Sequence, residues 1–174
     1  PEIGVRRHTA KVVSIVAFAL GAENAIAMIN GVSSSPVEAA RYTAARSIME
    51  IANLLSHGIS KHLGLLVPLF ERLLIDSSRV KSETAVALAQ TAEACAPYGI
   101  EHFGPLMKYV REECRRGVGS TAAAFLRAFG AIVPLMEPRD AQQYTADIMP
   151  TLVHQFSTPE PELQRVMMNV VRKC

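Results

Sequence analysis

The sequence predicts an all-α fold, a HEAT-repeat superhelical solenoid built of stacked antiparallel helix pairs. Three observations predict it. Anchor alanines at Ala10, Ala44, Ala85 and Ala123 stand 34, 41 and 38 residues apart, and each opens a run of small and apolar residues at helical spacing. A turn-and-helix phrase also recurs: Gly58-Ile59-Ser60-Lys61-His62-Leu63-Gly64 is echoed 41 residues later by Gly99-Ile100-Glu101-His102-Phe103-Gly104. Lastly, no segment alternates with period two for long enough to read as a strand. A period near 40 residues with two helices per unit marks HEAT or armadillo arrays. Such chains hold partners along an extended surface more often than they catalyse reactions.

The first helix is expected from about Val5 to Leu20, where Thr9, Val13, Val16 and Leu20 share one face and Gly21 closes the run. A short helix follows from about Glu23 to Ile29, and the stretch Gly31 to Pro36 reads as a loop. Ala44, Ile48, Ile51 and Leu55 then turn inward on the next helix, with Gly58 as its expected stop. Ile59, Leu63, Leu66, Phe70 and Leu73 define another amphipathic helix ending before Asp76-Ser77-Ser78. Ala85, Leu88, Ala92 and Cys95 line the next, which Pro97-Tyr98-Gly99 breaks. Ile100, Phe103, Met107, Val110 and Cys114 line the following one. Past a turn at Gly117 to Gly119, Ala123, Leu126, Gly130 and Val133 repeat the small-residue face, and Pro138 marks a loop. Helices from about Arg139 to Phe156 and from about Pro161 complete the chain.

The whole reads as one array over residues 1-174, with approximate units 1-31, 37-75, 79-116, 118-156 and a partial unit 160-174. Each pair buries one face within itself and leaves a second apolar stripe for its neighbour to cover. Pro68, Pro105 and Pro150 are expected within the first helix of successive pairs, where a proline removes a backbone donor and bends the helix. Pro1 leads directly into a helical pattern and Cys174 ends one without a cap, the expected look of a piece cut from a longer solenoid.

Composition narrows the function. Of the 174 residues, 49% are hydrophobic, ample for a packed core, and 20 glycines and prolines together are too few for a disordered linker. Eighteen basic against sixteen acidic residues leave a formal charge of +2, short of the basic excess of a dedicated nucleic-acid domain. Three cysteines far apart, Cys95, Cys114 and Cys174, suggest neither a disulfide framework nor a zinc ribbon and favour a reducing compartment. No apolar run approaches the ~18 residues of a membrane span, and the start shows no signal-peptide pattern.

Catalytic and metal chemistry find little support. His57 and His62 flank an expected helix break with no cysteine or carboxylate at ligand spacing, whereas zinc needs about four convergent ligands. Gly117-Val118-Gly119-Ser120 follows a helix rather than a strand and lacks the lysine of a phosphate loop. No nucleophile elbow is present, so neither catalytic residues nor a cofactor is expected.

Positive charge is the one constellation of weight. Arg6, Arg7 and Lys11 open the first long helix, Arg41 and Arg46 the second, and Arg79 and Lys81 the third. Corresponding positions of stacked repeats fall side by side, so these residues suit a ladder along one edge that follows a single strand's phosphates. The competing reading is an internal ladder in which carboxylates such as Asp76 pair with an arginine or lysine of the neighbouring repeat. Arg111, Arg115 and Arg116, interleaved with Glu112 and Glu113, read as a solvated face. On architecture alone, a karyopherin-type transport receptor or a phosphatase scaffold is an equally natural bearer of these repeats.

The wording of the repeats is more specific than their period. The stretches Ala92 to Phe103 and Ala123 to Met136 closely resemble the large HEAT-repeat subunit of the splicing factor 3b complex. Val5-Arg6 with Thr9-Ala10-Lys11, Ala40 to Thr43, Tyr144-Thr145 and Val170 to Cys174 resemble it too, in order and over nearly the whole chain. The resemblance implies the N-terminal half of that subunit's solenoid, a nuclear scaffold of the U2 small nuclear ribonucleoprotein. It implies as partners other splicing factor 3b subunits, U2 snRNA, intron pre-mRNA near the branch site, and splicing helicase or proofreading proteins, with no membrane. The family's basic positions match Arg6, Arg46, Arg79 and Lys81, whereas Arg7 and Tyr42 stand where the family commonly has other polar residues. The loop after Arg116 departs in length and loses a lysine, and the branch-adenosine pocket belongs to later repeats. Arg6, Arg7, Arg41, Tyr42, Arg46, Arg79 and Lys81 form the expected RNA-proximal or partner-binding edge.

Overall fold

The computed structural model describes residues 3–156 and 161–173, except for some side chains within helices, among them those of Arg6 and Arg7. Ten α-helices follow one another and no strand occurs among the described residues. They are α1 (Ile3–Ala19), α2 (Ala22–Ser33), α3 (Glu38–Leu55), α4 (Leu63–Leu74), α5 (Ser78–Cys95), α6 (Ile100–Phe103), α7 (Met107–Arg116), α8 (Gly119–Ile132), α9 (Pro138–Phe156) and α10 (Pro161–Lys173). Short 3₁₀ segments at Ser56–His62 and Gly104–Leu106 join α3 to α4 and α6 to α7, and a third at Val133–Leu135 ends α8.

Two layers result. The first helices α1, α3, α5, α8 and α10 stack directly on one another, and α2, α4, α6 with α7, and α9 form a second, more loosely stacked layer. Small side chains permit the close layer. Ala44, Ala45 and Ala52 on α3, Ala85, Ala89 and Ala92 on α5, and Ala122 and Ala128 on α8 are all buried. Gly130 carries this furthest: a Cβ there would meet Val170 Cγ2 at 2.9 Å and Val170 Cα at 3.4 Å, so α10 rests against the α8 backbone. Between the layers lie Ile48, Leu66, Phe70, Leu88, Phe103, Phe125 and Phe129, all fully buried. Burying one such side chain contributes about 2 kcal/mol, so this continuous core, rather than surface charge, supplies most of the stability.

Turn chemistry sets the joints. Gly99 stands just before α6 with φ +98°, a left-handed conformation that suits glycine, and a Cβ there would also press on Leu63 Cδ1 at 2.9 Å. The α3 helix stops at Ser56, which has φ 48°, two residues before the expected stop at Gly58; that glycine instead lies inside the 3₁₀ segment. Buried hydroxyls are satisfied locally, as where Thr84 and Thr91 donate to the carbonyls of Val80 and Ala87, both at 2.8 Å.

The prolines correct the sequence reading. Pro68 lies within α4, Pro105 in the 3₁₀ joint between α6 and α7, and Pro150 within α9, all in the second helix of their pairs. The reason is packing: the first helices are the close-packed alanine layer, whereas the looser second layer tolerates a missing donor and a bend.

Candidate nucleic-acid and partner interface

The expected basic edge begins on α1, where the side chains of Arg6 and Arg7 lie outside the described residues. From α3 onward the geometry is explicit. Arg41 donates from Nε to Asp76 Oδ2 at 2.5 Å and from Nη2 to Asp76 Oδ1 at 2.9 Å. Its Nη1 donates to the carbonyls of Ser35 and Pro36 at 2.9 and 3.1 Å. The hydrogen bond from Arg41 holds the Asp76 carboxyl below its ordinary pKa, against the opposing effect of burial, and the backbone N–H of Ser77 assists. The same bond raises the Arg41 guanidinium.

One helical turn along α3, Glu83 of α5 gathers two partners from the preceding repeat. Arg46 Nη1 donates to Glu83 Oε1 at 2.9 Å, and the Tyr42 hydroxyl donates to Oε2 at 3.0 Å. Arg46 Nε is buried without a hydrogen bond, with Glu50 Oε1 at 3.5 Å. Lys81 Nζ donates to Glu113 Oε1 of α7 at 2.7 Å, within its own pair. Arg41, Arg46 and Lys81 thus pair internally: Arg41 takes Asp76, the carboxylate the competing reading names, Arg46 reaches the neighbouring repeat, and Lys81 instead stays within its own pair.

Arg79 differs. Its side chain is exposed, makes no ion pair or hydrogen bond among the described residues, and lies over the Tyr42 ring at 4.9 Å from the centroid. A stacked guanidinium keeps its N–H fork free for an anion. Tyr42 is buried and serves as a platform rather than as an exposed base-stacking ring.

Arg79 lines a groove of about 650 Å³ along the first-helix layer, shared with Tyr42, Ser82, Glu83, Thr121 and Arg127. Ser82 Oγ donates to Thr121 Oγ1 at 2.9 Å, tying α5 to α8 across its floor. Arg127, absent from the sequence-predicted edge, borders both this groove and a second one of about 480 Å³ between α8 and α10. Elsewhere Arg72 of α4 reaches Asn30 Oδ1, Ser33 Oγ and Ser34 Oγ at 3.1, 2.9 and 2.6 Å. Arg111 of α7 pairs with Asp147 of α9 and lies over the Tyr144 ring, so this arginine of the expected solvated face also joins two repeats. Arg115 and Arg116 are exposed.

The buried thiols offer no nucleophile: burial pushes Cys95 up to about 11 and raises Cys114 as well. Among the described residues no three metal-ligating side chains converge, and no helix is long and apolar enough to cross a membrane.

Fold and surface define a class, a helical-repeat scaffold whose units are joined by alanine packing and by carboxylate–cation pairs across about one repeat. No family model matches the chain. The chain is 39% identical over 172 residues to the U2 snRNP component prp10 of Schizosaccharomyces pombe. It is 33% identical over 172 residues to the U2 snRNP component HSH155 of Saccharomyces cerevisiae. Both alignments cover 98% of the chain, which spans 14% and 18% of the respective relatives. The chain is therefore homologous, through almost its whole length, to one segment of the family of these U2 snRNP components, the large HEAT-repeat subunits of splicing factor 3b.

Proposed function

We propose that this chain is a scaffold segment of a U2 snRNP component, supporting branch-site recognition and intron positioning during pre-mRNA splicing in the nucleus. The observation that carries the reading is the identity of 39% and 33%, over 98% of the chain, to two proteins that bear the name U2 snRNP component.

The mechanism is positional. Intron RNA passes the edge where Arg79 stands on the Tyr42 ring, and phosphate contacts there fix register without reading bases. Base pairing between U2 snRNA and the intron supplies the sequence choice. Arg41, Arg46 and Lys81 serve this edge from beneath: engaged with Asp76, Glu83 and Glu113, they hold α3, α5 and α7 at the spacing that presents Arg79. Arg6 and Arg7 continue the same series on α1. Other splicing factor 3b subunits, and helicase or proofreading proteins, are the protein partners of this reading.

Copurification tests it. Tagged protein carrying this chain brings down U2 snRNA and splicing proteins; recovery of nuclear-transport cargo or a phosphatase instead overturns the reading.

A further inference from the structure

The groove between α8 and α10 is lined by Arg127, Arg165, Arg172, Asn169 and Glu93 over Gly130, Val166 and Val170. Arg165, Asn169 and Arg172 recur at +4 and +3, which places them on one side of α10. All three arginines are exposed, and none makes an ion pair or hydrogen bond among the described residues. That sets them apart from Arg41, Arg46 and Arg111, each held by a carboxylate. A guanidinium committed to a carboxylate has little left to offer a partner, whereas an unpaired one keeps its full fork.

We propose that this groove docks an acidic segment of a partner protein, with its carboxylates on Arg127, Arg165 and Arg172 and an aliphatic side chain over Val166. Clustered arginines recognise carboxylates bidentately, a recurring mode of acidic-motif capture. One feature favours a protein segment over a nucleic-acid strand. The floor is apolar, with half-buried Val166 above buried Val170. Arg127 borders the Arg79 groove as well, so the acidic segment lies beside the edge assigned above to RNA and does not depend on that assignment.

Fluorescence anisotropy tests the proposal, with a labelled peptide of repeated Asp-Asp-Leu as one probe and a labelled oligouridylate as the other. The acidic peptide binds the full chain; its Asn-Asn-Leu and Asp-Asp-Ser counterparts bind at least about tenfold more weakly. Arg127→Glu, Arg165→Glu and Arg172→Glu each weaken the acidic peptide by about tenfold, whereas Lys61→Glu, on the Ser56–His62 segment, has no effect. Arg165→Gln gives a smaller loss in the same direction, and unchanged melting curves show that the variants fold. Failure of the acidic peptide to bind overturns the proposal, as does binding that all three reversals leave intact. Oligouridylate that binds with the same three-arginine dependence and displaces the peptide assigns the groove to RNA and overturns it as well.

Discussion

The Arg41 guanidinium meets the Asp76 carboxylate through two parallel hydrogen bonds of 2.5 and 2.9 Å, across 35 residues of sequence. Arg41 also holds the carbonyls of Ser35 and Pro36, so one side chain ties the turn before α3 to the turn before α5. A residue in the expected RNA-facing series is thereby a joint of the array.

The joint carries a signature in pH. Asp76 has a folded pKa below its unfolded value, so its contribution to stability is complete above the unfolded carboxylate range, about 4, and is lost as pH falls through the folded value. Asp76→Asn removes that contribution. Melting temperatures recorded against pH will show a constant gap between wild type and variant near neutrality, closing below about pH 4. A gap that persists unchanged into acid contradicts the assignment.

The Arg46–Glu83 pair predicts a modest coupling. Both side chains are mostly buried, at 21% and 14% exposure, yet the pair borders an open groove. A double-mutant cycle with Arg46→Ala and Glu83→Ala, read by chemical denaturation, should give about 0.5–1 kcal/mol. Leu88→Ala in the buried core should cost about 3 kcal/mol. Reversal of that order means that charge rather than packing holds the array together.

Gly130→Ala should destabilise by about 1 kcal/mol, although alanine is the better helix former, because the new methyl meets Val170 and forces α10 outward. In a Val170→Ala background the same change becomes neutral or stabilising. Denaturation midpoints of the four proteins read the sign directly.

The sequence disclosed the periodicity because alanine anchors and apolar stripes are properties of single helices. It did not disclose what depends on the meeting of distant helices. The competition between a free and a paired ladder turned on partners 32 to 37 residues away, such as Glu113 for Lys81 and Glu83 for Arg46. Pro68, Pro105 and Pro150 stand in the second layer and not the expected first, because spacing does not say which layer packs more closely. Arg127 and Arg165 look like isolated surface residues in sequence and share a groove only once α10 lies against Gly130. The stacking of Arg79 on Tyr42, which sets that residue apart from Arg41 and Arg46, left no mark in the sequence beyond its membership of a basic series.

On the proposed function, Arg79 faces RNA while Arg41 holds the array. This is tested by photocrosslinking from single sites in the assembled particle, with a photoreactive residue placed at position 79 or at position 41. Intron RNA is expected to crosslink from position 79 and protein alone from position 41. No RNA at position 79, or equal RNA at both positions, contradicts it.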